Sequence, residues 1–345
     1  MFFNRENKNY IAVEELHIRH LNLLIDLKNN EFNNWFYKMA IINTFEDLKK
    51  FLINLEKNKN KCIIAIQNKK VIGFIHTYPI NKKKTCLKVD EPKIYDCKYP
   101  NNTRELILEL LKKTIFFNDV SLSNWIITSD INNLDLISAS RELGFQPLKE
   151  TKVWTIPKQI KNITQSIEND LLIESFQKID ETNIKSILNF VRSNESIMVR
   201  NLLDYSKKDI EKRNDDLCGC ITINGEIIFT ILKDINYKKK KIYTLMRGIC
   251  WDERLNTVLE LVIKKIIKNN PNVIFKTYSE DKALNKFLQE LPLNETKNEL
   301  ILIKNSLIKR NTINNLSVNK SLDSILKKIN PPGNPFPAPT PSSLK

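Results

Sequence analysis

A chain of 345 residues with 41% hydrophobic and 8% aromatic content is long enough for two ordinary cores and has the apolar residues to fill them. No run reaches the ~20 uninterrupted apolar residues of a bilayer-spanning helix, and the first ten residues lack the apolar block of a secretory signal, so a cytoplasmic protein with no membrane partner is expected. The net charge of +15 raises the question of nucleic acid, but the excess is spread over a Lys-, Asn- and Ile-rich chain without a recognition helix, zinc finger or stacking platform, so nucleic acid is not an expected partner.

In chain order, residues 11–27 read as a helix, because Leu16, His20, Leu23, Leu24 and Leu27 recur near the 3.6-residue period. Residues 44–55 read as another, opened by a Thr44 cap with Glu46 and Asp47 in the first turn. Two β-rich runs, 61–66 and 70–77, flank Gln67-Asn68-Lys69, a hairpin signal, and 84–90 offers a third strand. An amphipathic helix at 104–117, a strand at 124–129, a short helix at 133–143 stopped by Gly144, and a strand at 152–156 complete a first series.

The second half repeats that order. It runs strand 171–177, helices 181–192 and 202–212, and a hairpin of 217–223 with 226–232 around Asn224-Gly225, the strongest turn signal in the chain. Strand 241–249, helix 256–268, strand 272–277, helix 282–290 and strand 299–304 follow. The recurrence implies an internal duplication. It suggests domains at 1–157 and 170–306, a polar linker at 158–169, and a tail at 307–345 whose Pro-dense stretch, 330–341, should be extended and disordered, with docking to a partner groove as its possible use. The six cysteines (Cys62, Cys86, Cys97, Cys218, Cys220, Cys250) read as reduced small hydrophobes, and no metal site is expected. Trp125 and Trp154 are both expected in the first core.

The element order, the hairpin with Gly73 after Val71-Ile72, and the run Asn133 to Phe145 (NLDLISASRELGF) resemble the GNAT N-acetyltransferase superfamily. In that last motif an Asn opens the helix and Leu-Gly-Phe ends it. The likeness covers 11–156 by motif and 171–304 by order alone. It implies an α/β fold (α+β mixed sheet) of two tandem acyl-CoA N-acyltransferase-like domains, each with its fourth and fifth strands splayed around the pantetheine of acetyl-CoA. It also implies acetyl-CoA as cosubstrate, direct acetyl transfer to a small-molecule or protein amine, and no covalent enzyme intermediate.

The sequence departs from the family where pyrophosphate should bind. Residues 98–104 contain no glycine, leaving Asn101, Thr103 and Arg104 as the groups to cap or neutralise phosphate. The second half has Trp251 to Thr257 there, with two acids, and is expected to be degenerate. The family's frequent tyrosine acid falls on Ser140, so that role is not carried over. Asn133 is a pantetheine partner by resemblance and an ordinary helix N-cap by local chemistry. For the catalytic base His76 ranks first and Glu31 second, with Asp90 also near the expected cleft. Arg200 and Arg247 interrupt apolar runs and call for a carboxylate, a phosphate or an exposed position. Two alternatives stand beside the enzyme: an inactive tandem scaffold, favoured by the missing glycines, and an aminoacyl-tRNA-dependent transferase, favoured by the charge.

Overall fold

The computed structural model describes residues 11–24, 36–45, 60–95, 103–117, 124–157, 176–235, 241–248, 254–270 and 272–305. All fall in one compact unit, Met1–Ser306; Leu307–Lys345 is a separate unit and, with the Pro-dense tail, lies outside the described residues. No helix among the described residues is long and apolar enough to cross a membrane.

The first half contains strands β1 (Ala12–Glu15), β2 (Lys61–Gln67), β3 (Lys70–Pro79), β4 (Cys86–Val89), the two-residue β5 (Lys93–Ile94), β6 (Asn124–Asp130) and β7 (Gln146–Thr155). Its helices are α1 (Leu21–Leu24), α2 (36–45), α3 (Thr103–Phe117) and α4 (Leu134–Glu142). The second half gives β8 (Phe176–Lys178), α5 (Ile184–Ser193), α6 (Ile197–Leu203), α7 (Lys207–Lys212), β9 (Gly219–Ile223), β10 (Glu226–Lys233), β11 (Ile242–Arg247), α8 (Arg254–Asn269), β12 (Ile274–Tyr278), α9 (Lys282–Glu290) and β13 (Asn294–Asn305).

Local chemistry explains many of these boundaries. The β2–β3 turn places Asn68 and Lys69 at φ of 51° and 62°, and the β9–β10 turn places Asn224 and Gly225 at 51° and 82°, the mirror-image turn that suits a twisted hairpin. On α5 the buried residues Ile184, Ile187, Leu188 and Val191 follow helical spacing. The helix expected at 202–212 is two helices, because Asp204 ends α6 in the left-handed region (φ 42°) and Ser206 with Asp209 forms a capping box for α7.

Two other expectations are corrected. Residues 12–15 form strand β1, paired with β2 from Ala12↔Ile66 to Glu15↔Ile63, and only a 3-10 turn and the single-turn α1 follow within 18–24. Edge pairing overrides the helical period there, since a strand neighbour supplies backbone partners that a short helix would have to find alone. Thr44 belongs to α2, its hydroxyl donating to the Ala40 carbonyl at 2.8 Å, so it does not open a new helix; 46–55 lies outside the described residues.

The strands form one continuous sheet in the order β1-β2-β3-β4-β6-β13-β7-β12-β11-β10-β9-β8, with β5 also pairing β3. The last strand of each half is exchanged. β7, which ends the first half, pairs antiparallel with β12 from Ile274↔Thr155 to Tyr278↔Thr151. β13, which ends the second, pairs with β6 from Glu299↔Asp130 to Asn305↔Asn124, and β7 and β13 pair with each other at the centre. Each core therefore contains a strand from the other half: fully buried Leu302 of β13 packs with Trp125 and Ile127, and Trp154 of β7 packs with Phe275 and Leu284. Trp125 is in the first core as expected, whereas Trp154 is in the second, because the exchange carries β7 across.

Where the exchanged strands cross, Glu299 lies opposite Thr151 and is held by Lys276 and, at 2.6 Å, by Lys297. Burial by itself would raise the Glu299 carboxyl; the two ammonium groups outweigh it and hold the carboxyl below its ordinary value of 4.5. A lowered folded-state value stabilises the fold above the unfolded value, and that stability is lost as pH falls through the folded one. Denaturant titrations of wild type and Glu299→Gln should therefore converge as pH drops below about 4.5 and separate above it; a constant difference across that range would show that the ion pairs do not contribute.

Candidate active site

Each half has one pair of parallel strands that starts in register and then parts. β4 and β6 pair from Cys86↔Asn124 to Val89↔Ile127. Beyond that, the Asp90 amide bonds the His76 carbonyl back on β3 at 2.9 Å, while β6 continues along β13 to Asp130. β11 and β12 pair from Ile242↔Ile274 to Thr244↔Lys276. β11 then follows β10 as far as Arg247↔Phe229, and β12 follows β7 as far as Tyr278↔Thr151. Two V-shaped openings result, each flanked by backbone with no strand partner across the gap among the described residues.

Just past each opening a helix begins on a side-chain cap. Asn133 caps α4 by accepting from the Leu136 amide at 3.1 Å; Asp281, 148 residues later, caps α9 by accepting from the Leu284 amide at 3.1 Å. The same spacing relates the buried Leu136 to the buried Leu284, so the duplication holds residue by residue here. The second polar contact of each cap differs: the Asn133 amide donates to Glu91 Oε1 at 2.6 Å, whereas Asp281 accepts from Arg247 Nε. Arg247 thus has its carboxylate, and Arg200 is exposed on α6.

At the first opening His76 is 2% exposed, with Nδ1 3.3 Å from Asp90 Oδ2 and its ring stacked on Tyr78 at 5.2 Å between centroids. The Tyr78 hydroxyl lies 3.4 Å from Asp90 Oδ1 and 3.4 Å from the Ile235 carbonyl of the second half. Burial, followed by the nearby carboxylates Asp90 and Asp234, pushes this phenol far above its ordinary range, so it stays a neutral donor. His76, Asp90 and Asn133 are therefore all placed around the same opening.

Arg104, in the first turn of α3, spans to α4: Nε lies 3.1 Å from Ser138 Oγ and Nη2 2.6 Å from Glu142. Thr103 is the first residue of the 15-residue α3. Glu31 and Asn101 lie outside the described residues, as does 249–253 ahead of α8.

Over the middle of the sheet lies a cavity of about 140 Å³ that touches both halves. Lys88 on β4, Ile126 and Thr128 on β6, and Thr244 and Met246 on β11 line it from the two openings. Leu148 and Ile301 come from the exchanged strands, and Val191, Val199 and Leu202 from α5 and α6.

Most of its charged groups neutralise one another. Lys149 Nζ sits 2.7 Å from Glu195 Oε2 and 4.2 Å above the Tyr278 ring, and the Tyr278 hydroxyl donates to the other oxygen of Glu195. Burial and Glu195 together push the Tyr278 hydroxyl far up. Arg213 Nη2 lies 3.5 Å from Asp234 Oδ1, its Nε donates to the Lys233 carbonyl at 3.0 Å, and its guanidinium stands 5.4 Å from the centre of the Tyr205 ring. Burial pushes the Tyr205 hydroxyl up to about 12 despite that cation.

Sequence reasoning missed this cavity and its residues Lys88, Lys149, Glu195, Arg213, Asp234 and Tyr278. They come from six separate stretches, and nothing in local periodicity signals that an exchanged strand brings them together. Asp281 alone was recoverable, by setting the second half 148 residues after the first.

No protein-family model and no curated protein sequence matches the chain. Among solved structures, a GCN5-related N-acetyltransferase from Sphaerobacter thermophilus overlaps 87% of this chain and 96% of its own at 9% identity and a TM-score of 0.48. A putative acetyltransferase from Pyrococcus horikoshii overlaps 90% and 92% at 10% identity and 0.45. A tandem GNAT protein from the clavulanic acid biosynthesis pathway overlaps 86% and 99% at 9% identity and 0.44. Likeness at this level carries no functional information; the chemistry is read from the two openings and the cavity.

Proposed function

We propose that the chain is an acyl-CoA-dependent N-acyltransferase that passes an acetyl group from acetyl-CoA to an amine held in the central cavity. The supporting observation is that opening and cavity share their walls: Lys88, Ile126 and Thr128, which flank the point where β4 and β6 part, also line the cavity. The gap between two unpaired strand edges suits an extended pantetheine arm, which can use their backbone groups as a further strand would.

The thioester supplies the activated acyl group. The chain's own residues must hold the carrier, desolvate the amine and remove a proton. Thr103 and Arg104 open α3, where the helix dipole favours a pyrophosphate, with Arg104 exchanging Glu142 for phosphate; Asn101, outside the described residues, is a further phosphate candidate from the sequence alone. Asn133 exchanges Glu91 for the pantetheine amide while keeping its cap on Leu136. His76, whose Nδ1 lies 3.3 Å from Asp90 Oδ2, is the base assigned to the ammonium, and Glu31 is the second candidate.

Calorimetric titration with acetyl-CoA should give binding that weakens in Asn133→Ala and Arg104→Ala; no heat from acetyl-CoA or free coenzyme A would sink the reading. His76→Gln should lower kcat by about 100-fold or more while leaving acetyl-CoA affinity in place. An unchanged kcat would eliminate His76 as base.

A further inference from the structure

The cavity has an unbalanced charge. Lys149 and Arg213 are matched by Glu195 and Asp234, and Lys276 by Glu299. The side chain of Lys88, also in the wall, has no hydrogen-bond or ion-pair partner among the described residues. It is half-buried on β4, one residue before the last paired position of the first opening, Val89↔Ile127. A lysine there loses part of its hydration without a compensating carboxylate, which an anionic ligand would supply.

The rest of the space sets the ligand's size and character. About 140 Å³ is close to the ~150 Å³ of an apolar cavity known to admit benzene. Ile80, Leu148, Val191, Val199, Leu202 and Met246 make much of the wall apolar. The fit is to one anionic group joined to a branched-aliphatic or phenyl-sized body. Two charges would exceed the single unmatched cation, and a long chain would exceed the volume.

We infer that the cavity binds an apolar α-amino acid, with its carboxylate on Lys88 and its side chain under α5 and α6. The carboxylate and apolar body follow from the cavity, whereas the role of its amine as acyl acceptor rests on the acyltransferase reading above. With the carboxylate at Lys88, the neighbouring amine lies next to the opening through which the thioester would arrive.

The test is calorimetric titration of the full chain, without acyl-CoA, using L-leucine, L-phenylalanine and their uncharged-terminus counterparts leucinamide and phenylalaninamide. The acids should bind at least tenfold more tightly than the amides; Lys88→Met should remove that difference and Lys88→Arg should keep it, with thermal melting confirming that both variants fold. Absence of binding by both acids, or a folded Lys88→Met that still prefers them, would overturn the assignment. An acetyl-transfer assay separates the two readings. Binding of the acids without transfer would refute the acyltransferase and leave the cavity assignment standing, and equally fast transfer to acids and amides would do the reverse.

Discussion

Ending the chain after Leu293 is expected to abolish cooperative folding of both halves, although the deletion begins close to the C-terminus of the second. It removes β13, which pairs β6 on one side and β7 on the other. The remaining chain would carry two open strand edges in the middle of its sheet, and unpaired edges bind other chains. The first core also loses Leu302, at 0% exposure, and the cluster between the halves loses Ile303, at 2%. Circular dichroism on heating should show no single sharp transition, and size-exclusion chromatography should show aggregates. A chain ended after Ser306, which keeps β13, is the control. Should the Leu293 truncation melt like that control, the exchange would contribute little to stability. By the same reasoning residues 1–157 expressed alone lack a neighbour for β6, and residues 170–306 alone lack one for β12, so neither should be a stable monomer; copies of one half exchanging strands with each other are the expected escape.

Trp154→Ala is expected to cost about 3–5 kcal/mol, the range for emptying a large aromatic site in a core. Trp154 is 1% exposed, and its indole Nε1 donates to Thr277 Oγ1 at 2.9 Å. Thr277 in turn donates to Asn285 on α9, so the deletion breaks a buried chain of polar contacts as well as opening a cavity. The location of the damage is the informative part. Trp154 belongs to the first half by sequence and to the second by packing, so hydrogen exchange should accelerate first in β12 and α9, ahead of α3 and α4. Earlier loss of protection in α3 would contradict the exchanged packing.

Several features of the chain were legible without any structure. Asn68 and Lys69, and Asn224 with Gly225, mark their hairpins because few residues tolerate positive φ. Asn133 and Gly144 mark the ends of α4 because a helix terminus must find partners for its own amides and carbonyls. The repeated succession of elements is equally visible, as duplication preserves the apolar periods that define each element. His76 and Asp90 were each named as candidates near expected strand ends; that His76 Nδ1 comes within 3.3 Å of Asp90 Oδ2 is known only from the tertiary structure.

The sequence could not reveal which half a strand would complete. β7 and β13 close their halves at the same place in the element order, and either could dock beside β6 or β12; the choice depends on the partner edge available in space, a long-range contact that no local pattern encodes. That choice moves Trp154 into the other core, brings Lys149 to Glu195, and places Leu148 and Ile301 between the two openings. By itself the sequence determined two α/β halves with their turns and caps, all governed by interactions within a few residues or one hairpin. Only the tertiary structure decided that the halves share a single sheet and enclose one cavity, because both depend on edges and faces that meet about 150 residues apart.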